Sequence, residues 1–156
     1  MPQSPRVFLV VVDETEEMRA ALRFACRRAR TTGGTVALLK VIEPAELQQF
    51  AAIGSLMQAE ARQSAEDILH RLAGEVNACS GQVPVLYVRE GEPRAAVIGL
   101  IDEDPAISIL VLAADPGPRG PGPLVTALTG KHVGKLRVPV TIVPGNLTDE
   151  QLAAIT

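Results

Sequence analysis

The sequence predicts an α/β fold, an open doubly wound sheet of five parallel strands flanked by helices, with a short C-terminal helix added. Two observations predict it. Five short apolar runs alternate with segments of helical periodicity, in the order β-α-β-α-β-α-β-α-β. The runs are predominantly apolar, and Val7 to Val12 is apolar throughout, as strands covered on both faces require. Because strands joined through helices lie parallel in one sheet, the pattern favours a doubly wound fold.

The first part of the chain provides two strands and the helix between them. The predicted strands are Val7 to Val12 and Thr35 to Ile42. Thr15 is the candidate N-cap of the helix, and Gly33 follows its last turn. The buried face is predicted from apolar residues at helical spacing, namely Met18, Ala21, Leu22, Ala25, Cys26 and Ala29.

The middle of the chain repeats this pattern. A helix is predicted after Ser55, which forms a capping box with Gln58, and Gly81 closes it. A third strand, Val83 to Val88, follows, and Pro93 suits the first position of the next helix. The apolar stripe predicted for the first of these helices consists of Met57, Ala61, Ala65, Ile68, Leu69, Leu72 and Val76.

The last part of the chain carries the candidate site. Ile107 to Leu112 and Val138 to Val143 are predicted strands, joined by a loop with three glycines and four prolines and then a short helix. Residues 1–145 are expected to form the domain and residues 146–156 a helical tail. Within the tail, Thr148 and Gln151 predict a capping box at the start of a helix over Asp149 to Ile155.

Composition excludes several classes of function. The chain has 156 residues, a net charge of −3 and four aromatic side chains. It therefore lacks both the basic field that binds phosphate backbones and the stacking platforms that bind single strands. No leader-like or membrane-spanning segment is recognised, so a cytoplasmic protein without nucleic-acid or membrane partners is expected. Cys26 and Cys79 are expected to be ordinary reduced thiols, and His70 and His132 suggest no metal.

The candidate site lies where strands enter helices. In open α/β sheets, ligands bind beyond the carboxyl ends of the strands. After Ile107 to Leu112, glycines allow backbone N–H groups to approach a ligand, and the next helix points its positive end at the same place. This stretch therefore predicts an anion or nucleotide cradle.

Three familiar versions of such a site do not match. A dinucleotide fingerprint is excluded because the first turn is Asp13-Glu14-Thr15 instead of glycine-rich. A Walker A loop is excluded because Val125 and His132 stand where a glycine and a hydroxyl residue are needed. Asp13 and Glu14 resemble the acidic pair of a phosphoacceptor receiver domain, but the aspartate and lysine expected after the third and fifth strands are missing.

The spacing of three glycines resembles a known nucleotide-binding signature. Gly117, Gly120 and Gly130 are separated by two and nine residues, as in the universal stress protein family. Asp13 after the first strand and the Val-Pro-Val that introduces the last strand strengthen the resemblance, which covers about Arg6 to Pro144. It implies an adenine nucleotide alpha hydrolase-like fold, regulatory binding of ATP or AMP in stress response, and a homodimer that pairs last strands.

The resemblance also implies roles for individual residues. Asp13 corresponds to the family's ribose contact, and the backbone of Val41 to its adenine contact. The phosphates would be held by Gly117, Gly120 and Gly130, with Lys131 in place of the family's serine or threonine. No nucleophile, base and orienting group can be assembled from the spacing, so no catalytic residue is predicted and at most slow ATP hydrolysis is expected. No metal is predicted.

The same residues allow a second interpretation. Asp13 could cap the first helix, the loop glycines could serve turns, Gly130 could allow close helix packing, and Lys131 could be a solvated surface residue. Four prolines also remove amide donors from the loop. The alternative is a nucleotide-free dimeric interaction module with a closed site. A homodimer is expected either way, because an exposed apolar last strand needs covering.

Overall fold

The structure is a computed structural model that describes residues 5–54 and 56–156. Within these residues, five strands and six helices follow one another, with a 3₁₀ turn at Val133–Lys135. The elements are β1 (Val7–Val12), α1 (Met18–Thr32), β2 (Thr35–Ile42), α2 (Pro44–Ala52), α3 (Met57–Ser80), β3 (Val85–Glu90), α4 (Pro93–Glu103), β4 (Ile107–Ala114), α5 (Pro123–Thr129), β5 (Val140–Pro144) and α6 (Asp149–Ile155).

The predicted fold class is confirmed. The five strands form one sheet in the order β3-β2-β1-β4-β5, and every neighbouring pair is parallel. One apolar core lies under α1, α3 and α6, and a second lies under α4 and α5. The helices thus cover both faces, which explains why the central strands are predominantly apolar.

The predicted boundaries agree best where the apolar runs end sharply. β1, β2 and α6 have the predicted bounds. β3 begins two residues later than predicted, because Val83 is 71% exposed and pairing with β2 starts at Val85. β4 continues to Ala114 beside β5. β5 begins at Val140 instead of Val138, because the intervening proline has no N–H to donate to the ladder.

Two predicted helix starts differ from the structure. The prediction that Thr15 caps α1 is wrong: the helix begins at Met18, and the N-cap position, Glu17, makes no side-chain cap. Ser55 of the predicted capping box lies outside the described residues. The helix that follows begins at Met57. Met57 is 47% exposed, so it does not belong to the buried stripe as predicted. The core of that stripe, Ala61, Ala65, Leu69, Leu72 and Val76, is buried.

The C-terminal helix α6 is capped as predicted. The Thr148 Oγ1 atom accepts from the Gln151 backbone N–H at 3.2 Å, and Gln151 Oε1 accepts from the Thr148 N–H at 2.9 Å. Leu152 is fully buried in the core beneath α1 and α3, so the helix is anchored to the domain. Within residues 5–54 and 56–156, no helix combines the length and the apolar composition needed to cross a bilayer.

Candidate functional site

The topology places a crevice between the carboxyl ends of β1 and β4. The chain leaves β1 toward α1 on one face and β4 toward α5 on the other, so this is the switch point of the sheet. A cavity of about 130 Å³ lies there. Its lining consists of Val11, Asp13, Thr15, Glu17, Met18, Ala21, Leu112, Ala113, Pro121, Gly122, Pro123, Leu124 and Val125.

Asp13 is the one predicted site residue that lines this cavity. Its Oδ1 atom accepts two hydrogen bonds, from the Thr15 N–H at 3.1 Å and from the Thr15 hydroxyl at 2.6 Å. Glu14 between them has φ of 60°, the left-handed conformation that non-glycine residues rarely adopt. The turn therefore fixes one carboxylate oxygen of Asp13, while the other has no partner within the described residues.

The loop from Asp115 to Gly122 is bonded to itself. The Asp115 carboxylate accepts from the Gly117 N–H at 2.8 Å, and the Gly117 carbonyl accepts from the Gly120 N–H at 3.0 Å. The Asp115 N–H donates to the Pro121 carbonyl at 3.1 Å. The amides of Gly117 and Gly120, predicted to hold phosphates, are thus already used within the loop, and neither residue lines the cavity.

Gly120 is required by close packing within this loop. A Cβ atom at Gly120 would lie 1.9 Å from the Asp115 carbonyl oxygen, a distance that real Cβ atoms do not show. Only glycine can therefore occupy the position in this loop conformation. The glycine at this position, which suggested a phosphate contact, is therefore also required by the conformation of the loop.

Gly130 and Lys131 lie at the far end of α5. The Gly130 N–H donates to the Thr126 carbonyl at 3.2 Å, which makes Gly130 the C-cap of the helix. Lys131 is exposed, and neither residue lines the crevice cavity. The structure therefore does not bring these two residues together with Asp13 in its present conformation.

Val41 lies near the carboxyl end of β2, with its side chain buried in the core under α4. Its carbonyl accepts from the Lys40 ammonium group at 3.1 Å. Lys40 itself is 6% exposed and also pairs with Glu46 of α2 at 3.1 Å. The backbone of Val41 therefore lies beside this buried and paired lysine.

Sequence reasoning missed a polar cluster at the start of α4. Glu92 caps the helix by accepting from the N–H groups of Arg94 and Ala95, both at 3.0 Å. Burial alone would raise the pKa of Glu92, but these two N–H groups and the Arg94 guanidinium lower it overall. A glutamate immediately before the Pro93 helix start was the available sequence signal.

His132 joins the same cluster. Its Nε2 atom lies 3.0 Å from Arg94 Nη1, and because a guanidinium can only donate, Nε2 must accept. The ring is therefore neutral with its proton on Nδ1, which is buried and has no hydrogen-bond partner among the described residues. Burial lowers the pKa of His132, and the charges of Arg94, Lys135 and Lys131 lower it further. His132 is thus held against the start of α4.

Among residues 5–54 and 56–156, no group of three or more His, Cys, Asp and Glu side chains lies close enough to hold a metal ion.

The strand order and the crevice define the class of protein. It is an open doubly wound α/β domain with its candidate site at the β1/β4 switch point, beside a glycine- and proline-rich loop. A family model narrows this further: the universal stress protein family model matches residues 5–144. The chain belongs to the universal stress protein family.

Solved structures share the fold at low sequence identity. The universal stress protein UspA from Lactobacillus plantarum is 20% identical with a TM-score of 0.70, over 92% of this chain and 99% of that one. A universal stress protein from Archaeoglobus fulgidus in complex with dAMP is 18% identical with a TM-score of 0.58, over 92% and 99%. Another, in complex with cAMP, is 16% identical with a TM-score of 0.57, over 92% and 100%. A comparison with curated proteins gives no match.

Proposed function

We propose that the chain is a regulatory domain that binds an adenine mononucleotide in the crevice between β1 and β4. Asp13 accepts from the ribose hydroxyls, and the backbone of Val41 contacts the adenine. The observation that carries the proposal is the orientation of Asp13: Thr15 holds one carboxylate oxygen with two hydrogen bonds and leaves the other for a ligand. Two family structures solved with dAMP and cAMP support an adenine ligand.

The loop favours a mononucleotide over ATP. Each additional phosphate needs further donors, and the amides of Gly117 and Gly120 already donate within the loop. The four loop prolines supply none. Lys131, exposed at the end of α5, is the proposed cation for a single phosphate.

Binding also requires the loop to move outward. The cavity of about 130 Å³ is smaller than the roughly 300 Å³ at which small-molecule sites begin. Because the loop is held by its own hydrogen bonds and not by a large apolar contact, its displacement is the least costly way to enlarge the crevice.

Calorimetric titration of AMP, ATP and adenine into nucleotide-stripped protein tests the proposal. Asp13→Ala is expected to weaken AMP binding about tenfold, the cost of one hydrogen bond to a charged acceptor, and to leave adenine binding unchanged. Asp102→Ala removes the same charge from the exposed surface of α4 and is the matched control. No heat with AMP at millimolar concentration, or equal losses in both variants, would reject the nucleotide site.

A second candidate function, the nucleotide-free dimeric interaction module, is favoured by a different observation. All three glycine amides of the signature donate to carbonyl or carboxylate oxygens of the chain itself, so the loop is stable without a ligand. β5 is an edge strand of the sheet, and its Ile142 is 41% exposed. In this case the function lies in pairing of last strands or in docking a partner at that edge.

Light scattering coupled to size exclusion tests the assembly on which the second candidate depends. The wild type is expected to be a dimer at tens of micromolar. Ile142→Lys places a charge on the apolar edge and is expected to give monomers. Ile53→Lys makes the same substitution at a side chain that is 75% exposed between α2 and α3, and should leave the dimer intact. A monomeric wild type would reject the homodimer.

A further inference from the structure

The two cysteines of the chain line one cavity on the face of the sheet that α1 and α3 cover. Cys26 lies on α1 and is 2% exposed, while Cys79 is near the end of α3 and partly exposed. Both line a cavity of about 320 Å³ between α1, α3 and the start of α6. The fold therefore brings together two thiols that are far apart in the sequence.

The two thiols have different surroundings. Burial raises the pKa of Cys26 to about 12, with further contributions from the neighbouring Cys79 thiol and from Glu75. Cys26 is thus protonated at neutral pH and shielded from reagents in solution. Cys79 borders a second cavity as well, together with Arg27 and residues of α6, so it is reachable from solvent.

Charged groups from three elements face this cavity. α1 contributes Arg19, Arg23 and Arg27, α3 contributes Glu75, and α6 contributes Asp149. Arg19 pairs with Glu75 at 3.6 Å and Arg23 pairs with Asp149, whereas Arg27 makes no ion pair among the described residues. The balance beside the thiols is positive.

Three arginines line the same cavity as Cys79. Arg23 is tied to Asp149 of α6, whereas Arg27 also borders the second cavity beside Cys79. Arginine beside a partly exposed thiol is the setting in which thiolates attack disulfides. Cys79 is partly exposed and has arginines beside it, as an attacking thiol requires, and Cys26 lines the same cavity as the second thiol.

We propose that Cys26 and Cys79 form a reversible intramolecular disulfide between α1 and α3 by exchange with a low-molecular-weight disulfide. The Cys79 thiolate attacks one sulfur of that molecule, whose S–S bond breaks and releases one thiol. Cys26 then gives its proton to water and attacks the Cys79 sulfur, which releases the second thiol. The two protein thiols lose two electrons and two protons, and the small disulfide gains them.

Mass spectrometry of the intact chain tests the proposal. The reduced protein is incubated with glutathione disulfide, and remaining thiols are blocked with N-ethylmaleimide. The expected product has lost two hydrogen atoms, carries neither glutathione nor maleimide, and returns to the dithiol form with dithiothreitol. Persistent glutathione on Cys79, unreacted thiols or disulfide-linked dimers would overturn the proposal.

Variants assign the order of the two steps. Cys79→Ser is expected not to react with glutathione disulfide, because Cys26 is buried. Cys26→Ser is expected to stop at glutathione bound to Cys79. Cys26→Ala provides the same test should the buried hydroxyl destabilise the core. If Cys79→Ser reacts at the wild-type rate, the assignment of Cys79 as the attacking thiol is wrong.

A charge variant tests the role assigned to the arginines. Arg27→Gln is expected to slow the first step roughly two- to fivefold, the range of a screened charge interaction. Arg28→Gln removes the same charge from α1 at a residue outside both cavities and is the matched control. Equal rates for the two variants would show that Arg27 does not promote the attack.

Discussion

The loop after β4 and the cavity between α1, α3 and α6 use their polar groups in opposite ways. In the loop, the bonding partners belong to the same short stretch, from Asp115 to Pro121. In the cavity, ion pairs join different elements, Arg19 with Glu75 and Arg23 with Asp149, and two thiols lie between them. Residue types alone therefore do not make a site, because their chemistry depends on which groups remain unpaired after folding.

By this criterion Asp13 differs from the rest of the predicted nucleotide site. The amides of Gly117, Gly120 and Gly130 are engaged, whereas Asp13 keeps one carboxylate oxygen without a partner among the described residues. Asp13 therefore offers a ligand in the crevice a free hydrogen-bond acceptor. The glycine N–H groups become available to a ligand only if it displaces their present partners.

The largest effect is expected from breaking the loop. Gly120→Ala places a Cβ atom 1.9 Å from the Asp115 carbonyl oxygen, so the backbone has to move and the bonds within the loop are lost. We expect the free energy of unfolding to fall by about 3 kcal/mol. Chemical denaturation followed by circular dichroism measures it.

The matched control for this substitution is Gly134→Ala. A Cβ atom at Gly134 meets nothing within 4 Å, and the expected change is within about 0.5 kcal/mol. Equal losses at the two glycines would mean that Gly120 is not needed for the loop conformation described above.

Part of this architecture could be predicted from the sequence. The run from Val7 to Val12 is bounded by polar residues and buried between two neighbouring strands, so its periodicity and its environment agree. Val83 belongs to an apolar run as well, but it precedes an edge strand and is exposed. The apolar run therefore predicted a strand that begins too early. Apolar runs predict strands reliably where helices cover both faces of the sheet.

The candidate site was less predictable for a physical reason. Glycine spacing shows where the backbone can turn closely, but the direction of each N–H depends on the path of the loop, and in this loop those of Gly117 and Gly120 point inward. Likewise, no spacing relates Cys26 to Cys79, because their proximity comes from packing of α1 on α3. Both features depend on tertiary structure.

A smaller effect is expected when a charge of the loop is removed and its hydrogen bonds are kept. Asp115→Asn keeps an oxygen that can accept from the Gly117 N–H but removes the negative charge beside the crevice. We expect AMP to bind two- to threefold more tightly, a gain of about 0.5 kcal/mol, because a screened repulsion between carboxylate and phosphate is lost. The gain should be larger for ATP, which carries more charge.

Calorimetry at two ionic strengths measures the effect of Asp115→Asn. Adenosine, which has no phosphate, serves as the control ligand and should bind both proteins equally. If adenosine binding improves as much as AMP binding, the substitution acts through loop mobility instead of charge.

The smallest effect is expected in the cavity, at the ion pair between Arg23 and Asp149. The hydrogen bond from Arg23 lowers the pKa of Asp149 below its ordinary value of 3.8. The pair therefore stabilises the fold fully at neutral pH, and its contribution is lost as the pH falls below 3.8 toward the pKa of the folded state. Both side chains are about half exposed, so the contribution is small.

Asp149→Asn tests this pH dependence by denaturation at pH 7 and pH 3 at equal ionic strength. We expect the variant to be less stable than the wild type at pH 7 and closer to it at pH 3, which lies below the ordinary pKa of 3.8 and so within the range where the contribution is being lost. Glu150→Gln removes a neighbouring charge from the same first turn of α6 and controls for the helix dipole. If both variants show the same pH dependence, the dipole and not Arg23 accounts for it, and the ion pair does not hold α6 to α1.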